Sequence, residues 1–198
     1  MTPFPDPLTS IAAPLVVDNV DTDTIIPSRE MRSTGRTGLA NGLFAPWRYT
    51  DADSRAEDPD FVLNQPQFRD ARILVGGANF GCGSSREHAV WALHEWGIRA
   101  VIAESFAPIF RNNCIRNGIV PVTLDRTVLE QLAGDEITID LQACTVARHP
   151  FAIDPEARQM LLEGLDAIDL TLTQSDAIAR WTQADRKARP WVYLEKSA

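Results

Sequence analysis

From residue 72 to residue 124 the chain alternates short apolar runs with longer segments of helical period, and no other feature constrains the fold as strongly. "RILVGG" is an unbroken apolar run closed by glycines. "SREHAVWALHEWG" follows, with Ala89, Val90, Leu93 and Trp96 on or near one helical face and Gly97 past its end. "RAVIAES" repeats the apolar run, "FAPIFRNNCIRNG" repeats the helix with a glycine stop, and "IVPVTL" is a third run. Strand, helix, strand, helix, strand at this spacing predicts parallel pairing through crossovers. The expected fold class is α/β.

The flanks are less regular. "APLVVDNVDTDTIIPS" predicts a short strand at Leu15–Val17, an acidic turn and a second apolar segment stopped by Pro27. Residues 28–70 are rich in Gly, Pro and charge with weak periodicity, which predicts a long loop region, and loops of that length are often functional. "EITIDLQACTVARHPFAI" reads as an antiparallel hairpin. Asp154 and Pro155 supply an N-cap and a first-turn proline for "PEARQMLLEG", closed by Gly164. "TLTQSDAIARWTQADRK" predicts a second helix, so residues 150–198 form a helical extension of one domain spanning 1–198.

Composition removes several function classes. At 198 residues and 44% hydrophobic, the chain can bury a core without disulfides or a structural metal. Its net charge of -8, with no Lys/Arg run, argues against a nucleic-acid partner, because phosphate contacts need clustered positive charge. Cys82, Cys114 and Cys144 cannot all pair within the chain and form no C-x-x-C, which favours a reduced, cytoplasmic location. "MTPFPDPLTS" lacks the basic start and apolar run of a signal peptide. No apolar stretch approaches the roughly 20 residues that span a bilayer, so no membrane association is expected.

The chemistry concentrates in "GANFGCGSSREHAVWAL", residues 77–93. One reading is a capping box, in which Ser84 and Glu87 satisfy each other's backbone amides. Ser85 could be the cap instead, leaving Ser84 free at the helix mouth. The other reading is a ligand site. A glycine turn after a parallel strand lies at the carboxyl edge of the sheet, where α/β proteins place ligands. Glycine-loop amides and a helix start favour an anion there, and Arg86 offers a fork suited to a carboxylate. The segment lacks the Gly-Lys-Ser/Thr of a phosphate loop, the third glycine of a dinucleotide fingerprint and the G-x-S-x-G of a hydrolase elbow. A small carboxylate fits better than a phosphate. His88 and His94, six residues apart, do not share a helical face as metal ligands do. "DTDTIIP" lacks the turn glycine and distal glutamate of a calcium loop.

"NFGCGSSREHA", preceded by "VDTDTIIP" and followed by "ESFAPIFRNNCIRNGIVPV", resembles the small subunits of bacterial isopropylmalate isomerases in the aconitase superfamily. The likeness extends to "RTG", "LF-x-x-WRY" and "FVLNQPQF" in the loop region, and to "GLDAIDLTL" and "DAIA" near the C-terminus. The resemblance implies a swivelling β/β/α domain that covers a 4Fe–4S cluster carried by a separate large subunit. This chain would bind no cofactor, and the pair would form a heterodimer or a higher assembly. The implied reaction interconverts 2-isopropylmalate and 3-isopropylmalate through isopropylmaleate in leucine biosynthesis. By the same resemblance, Ser84 is the base that takes a proton from carbon and Arg86 binds a substrate carboxylate. Ser85 caps the helix or adds a supporting substrate hydrogen bond. Asp23 matches an aspartate behind the base and near an arginine. Arg36, with Arg32 as competitor, matches the loop arginine that reaches the substrate, and Leu39, Leu43 and Phe44 are expected as apolar contacts to the alkyl group. Gly35, Gly38 and Gly42 would let that loop close. A homoaconitase or dimethylmalate dehydratase small subunit is the nearest alternative, although the segment "RTGLANGLFAPWRY" favours the leucine-pathway type. An anion-binding or regulatory module without chemistry is the alternative of another class.

Overall fold

The computed structural model describes residues 1–31, 35–51 and 53–193. The apolar runs β2 (Ile73–Gly76), β3 (Ala100–Ala103) and β4 (Val120–Thr123) pair in parallel, in the spatial order of their sequence. An N-terminal strand, β1 (Leu8–Leu15), adds to the free edge of β2. Beyond β1 the sheet turns antiparallel through β5 (Glu136–Asp140), β6 (Thr145–Val146) and β7 (His149–Pro150). The full order is β4-β3-β2-β1-β5-β6-β7, and the α/β class is as expected.

β1 departs from the expected strand at Leu15–Val17, since it ends where that strand was to begin. Its position is set by partners distant in sequence. Leu8–Ile11 pair with β5, and Ala12–Leu15 pair with β2. Val17 instead closes a tight turn, its amide donating to the Leu15 carbonyl at 2.7 Å.

Both faces of the central strands are buried, and the pleat sorts their residues between two cores. Leu74, Val101 and Ala103 meet α3 (Glu87–Trp96) through Ala89, Val90 and Leu93. The alternate residues Ile73, Val75, Ala100 and Ile102 face the other way. There they meet Leu129 and Leu132 of α5 (Arg126–Leu132) and Ala157 and Leu161 of α6 (Pro155–Glu163). The first core also receives Ile25 of α1 (Thr22–Ile25), Ala45's neighbour Phe44 at the start of α2 (Ala45–Arg48), and Phe110 of α4 (Pro108–Arg116).

The region expected as a long loop is mostly irregular and exposed, but part of it enters the core. It folds into α2 and short 3-10 turns at Ser28–Glu30, Ala40–Gly42 and Val62–Asn64. Leu39, Leu43, Phe44 and Leu63 are no more than 2% exposed. Buried polar groups hold the irregular backbone. Arg48 donates through Nη1 to the carbonyls of Ala40 and Leu43, and Asn64 donates to those of Arg48 and Asp58. Glu95 of α3 accepts the amides of Gly38, Leu39 and Ala40 at 2.6, 2.5 and 2.8 Å. Gly42 is a packing glycine rather than a free joint, because a Cβ there would stand 2.6 Å from Cβ of Glu30 and 2.7 Å from Cδ1 of Ile26.

At the C-terminal end α6 forms as expected. Asp154 caps it by accepting the amides of Glu156 and Ala157, and Gly164 ends it. The single helix expected after it is two, α7 (Ala167–Leu172) and α8 (Ser175–Ala188), with the break at Thr173–Gln174. No residue of α7 or α8 is buried. No helix among the described residues is long and apolar enough to cross a membrane.

Candidate active site

The glycine–serine loop leaves β2 at the carboxyl edge of the parallel sheet and enters α3. Gly81 makes the turn possible. Its φ is +75°, and a Cβ there would lie 2.1 Å from the Phe110 ring, so the backbone lies directly on that aromatic. The segment just before α1 holds the loop from the other side. The Gly81 amide donates to the Val20 carbonyl at 2.7 Å, and the Thr22 amide donates to the Cys82 carbonyl at 2.9 Å. The Thr22 hydroxyl donates to the Ser84 carbonyl at 3.0 Å. Thr22, 1% exposed, therefore fixes the backbone on which Ser84 stands. Asp21 supports this by capping α1, accepting the Thr24 amide at 2.6 Å.

The capping box expected from Ser84 and Glu87 does not form, and Ser85 does not cap either. After Gly83 the chain bends at Ser84, whose carbonyl accepts the Arg86 amide at 2.8 Å, and Arg86 is extended (φ −107°, ψ 110°), so α3 begins only at Glu87 and no side chain caps it. Glu87 turns instead to the side-chain amide of Asn117, which donates to it at 2.8 Å. Both serines are exposed, and neither hydroxyl bonds any described residue. The backbone amides of Gly83, Ser84 and Ser85 likewise donate to no described residue. Three consecutive unpartnered N–H groups ahead of an uncapped helix start form a region of positive potential.

Arg86 and Asp23 meet as expected. The Arg86 guanidinium donates through Nη1 to Oδ1 of Asp23, with Arg86 the more buried of the two. Asp23 sits in the first turn of α1, so the pair ties α1 to the mouth of α3. Only Nη1 is engaged among the described residues, which leaves the rest of the fork for a ligand. Thr22, the glycine–serine loop and Arg86 form one wall of a cleft of about 210 Å³. The first turns of α4, from Ala107 to Asn113, form the other wall. The α4 wall and Thr22 escaped the sequence reading. The signals were a helix four residues after a strand end and a threonine beside the aspartate that drew attention.

Arg36 is not in this cleft. Its guanidinium lies over the Trp91 ring, 5.1 Å from the centroid, in a neighbouring depression of about 330 Å³ shared with His94, Glu95 and Arg116. Arg32 lies outside the described residues. Leu39, Leu43 and Phe44 are sealed in the core and cannot reach a substrate as placed, which corrects the expectation for the alkyl contacts. His88 packs on Trp91 at 4.6 Å between ring centroids, and burial lowers the pKa of half-buried His94, with Arg99 adding to the effect. Cys114 is wholly buried, which pushes its thiol far up, and Cys82 and Cys144 are free on separate elements. Among the described residues no three His, Cys, Asp or Glu side chains converge as metal ligands.

Residues 7–127 match the aconitase C-terminal domain family. A 3-isopropylmalate dehydratase small subunit from Cupriavidus necator is 52% identical over 198 residues, covering 93% of this chain and 95% of that one. The protein of the same description from Rhodospirillum centenum is 50% identical, covering 93% and 96%. Among solved structures, the 3-isopropylmalate dehydratase of Methanocaldococcus jannaschii superposes with a TM-score of 0.65 at 30% identity, covering 88% of this chain and 98% of that one. With the serine loop, the Arg86–Asp23 pair and the mixed sheet already described, these likenesses place the chain in the 3-isopropylmalate dehydratase small subunit family, within the aconitase C-terminal domain family.

Proposed function

We propose that this chain is the small subunit of a hydro-lyase that interconverts 2-isopropylmalate and 3-isopropylmalate through isopropylmaleate, in leucine biosynthesis in the cytoplasm. The observation that carries the reading is the loop itself: among the described residues, the Ser84 hydroxyl and the successive amides around it have no internal partner. A serine hydroxyl removes a proton from carbon only as its alkoxide, and an alkoxide persists only where fixed donors surround it. The amides of Gly83, Ser84 and Ser85, the start of α3 and the Arg86 guanidinium supply those donors without reorganisation. Asp23 holds Arg86 in orientation, and the open edge of its fork takes a substrate carboxylate. Ser85 is placed to add a hydrogen bond to the same carboxylate. Arg36 reaches the substrate only if its segment leaves Trp91.

The thiols of this chain do not fit an iron–sulfur cluster, since Cys114 is buried and Cys82 and Cys144 stand apart. In this reading the 4Fe–4S cluster belongs to a large-subunit partner. Ser84→Ala should lower turnover by the reconstituted two-subunit enzyme by about 10²–10⁴-fold, the usual contribution of a positioned acid or base. The melting temperature should not move, because the Ser84 hydroxyl bonds none of the described residues. A loss no larger than that of Ser85→Ala would remove Ser84 from the role of base.

A further inference from the structure

Arg86 and Ser85 give a substrate carboxylate its partners, but Leu39, Leu43 and Phe44, as core residues, give the branched alkyl group none. The wall of the cleft opposite Ser84 supplies what is missing. Ile109, in the first turn of α4, is 54% exposed at this wall, while the neighbouring Phe110 carries the packing into the core. An apolar side chain of that size, left uncovered beside Pro108 and facing a polar loop, offers dry surface to an alkyl group. One helical turn deeper on the same face lies Asn113, nine-tenths buried. Its side-chain amide bonds no described residue, although it lines the cleft. Asn117, one further turn along, has both ends of its amide engaged, by Glu87 and by the indole N–H of Trp91. That amide opens into the cleft rather than being sealed in the core, so a ligand oxygen entering there can bond it.

We propose that α4 reads the substrate: Ile109 and Pro108 receive the branched alkyl group, and Asn113 hydrogen-bonds a carboxylate or hydroxyl oxygen at the base of the cleft. The ligand class is an alkyl-substituted hydroxy-dicarboxylic acid. This assignment rests on the proposed hydro-lyase reading and adds α4 to the surfaces that select the substrate.

The test uses the chain reconstituted with its large subunit, on isopropylmalate and on a malate bearing a methyl in place of the isopropyl group. Ile109→Ala should shift the ratio of kcat/KM between the two acids by about 10–100-fold against isopropylmalate, the scale of lost alkyl contacts. Asn113→Leu should lower kcat/KM on both acids by about 10-fold or more with their ratio kept, and with an unchanged or raised melting temperature because no internal bond is lost. If that variant does not fold, Asn113→Asp keeps the shape, and its KM for both acids should rise with pH as the new carboxyl ionises. An unchanged ratio in Ile109→Ala, in an enzyme that turns over isopropylmalate, overturns the alkyl wall and leaves the reaction standing. Loss in Asn113→Leu that follows a fall in melting temperature, or a flat KM against pH in Asn113→Asp, overturns the amide contact. Turnover of neither acid by the unsubstituted pair overturns the reaction and this assignment together.

Discussion

Residues 28–70 and the helices α7 and α8 invert the usual link between regularity and burial. The first region has almost no regular structure, yet it contributes Leu39, Leu43, Phe44 and Leu63 to the core. The second is well-formed helix with a capping box at Asp166, yet Ile168, Leu172 and Trp181 are 70%, 59% and 61% exposed. Local backbone order depends on caps and propensity, whereas burial depends on apolar side chains reaching a common centre. An irregular segment can do the second when its backbone groups find other partners, and here Arg48, Asn64 and Glu95 provide them.

The sharpest way to break this comparison is one substitution made in both regions. Leu43→Ala, at a fully buried side chain, should cost about 2–5 kcal/mol through lost transfer energy and a residual cavity. Chemical denaturation of the isolated chain measures it, and a cost below about 1 kcal/mol would mean that the loop core is loosely packed.

A smaller effect sharpens how the irregular region is held. Burial raises the Glu95 carboxyl, but the amides of Gly38, Ala40 and Leu39 outweigh it and hold its pKa below the ordinary glutamate value. The group binds its proton less readily folded than unfolded, so its contribution is complete above the unfolded value of about 4.3 and is lost as pH falls through the lowered folded value. Hydrogen-exchange protection of the Gly38, Leu39 and Ala40 amides should fall over that acid range, and Glu95→Gln should weaken it at neutral pH as well. Protection indifferent to both changes would assign the order of this segment to packing alone.

The smallest effect belongs to the other half of the pair. Leu172→Ala, the same side chain lost from a 59% exposed position, should change the stability of the isolated chain by no more than about 0.5 kcal/mol. A cost comparable to that of Leu43→Ala would show that α7 is covered in solution by something else.

The same contrast explains what the sequence made legible. The β2–β4 strands and α3, α4 and α6 could be read directly, because apolar period, glycine stops and the Asp154–Pro155 cap are local signals. Ser84, Arg86 and Asp23 were legible from their motif, and the Arg86–Asp23 contact followed. β1 was misplaced because "LTSIAAPL" has no clean alternation, and strands 60 and more residues away set its register. The helix start was misplaced because a tight turn at Ser84 and an extended Arg86 stand where a capping box would have begun the helix. Thr22, Ile109 and Asn113 carried only faint local marks, since their place in the cleft exists only once α1 and α4 pack against the serine loop.

β1 leaves the ribosome first, but half of it pairs with β2 and the other half with β5, so it stays an open-edged strand until residue 140 has emerged. The Phe4 amide waits longer still for the Leu161 carbonyl. The parallel half can form while translation continues, whereas the N-terminal half of β1 is locked only when β5 arrives. A nascent chain stalled before β5 should therefore expose the apolar face of β1 to chaperones, and one released after α6 should not.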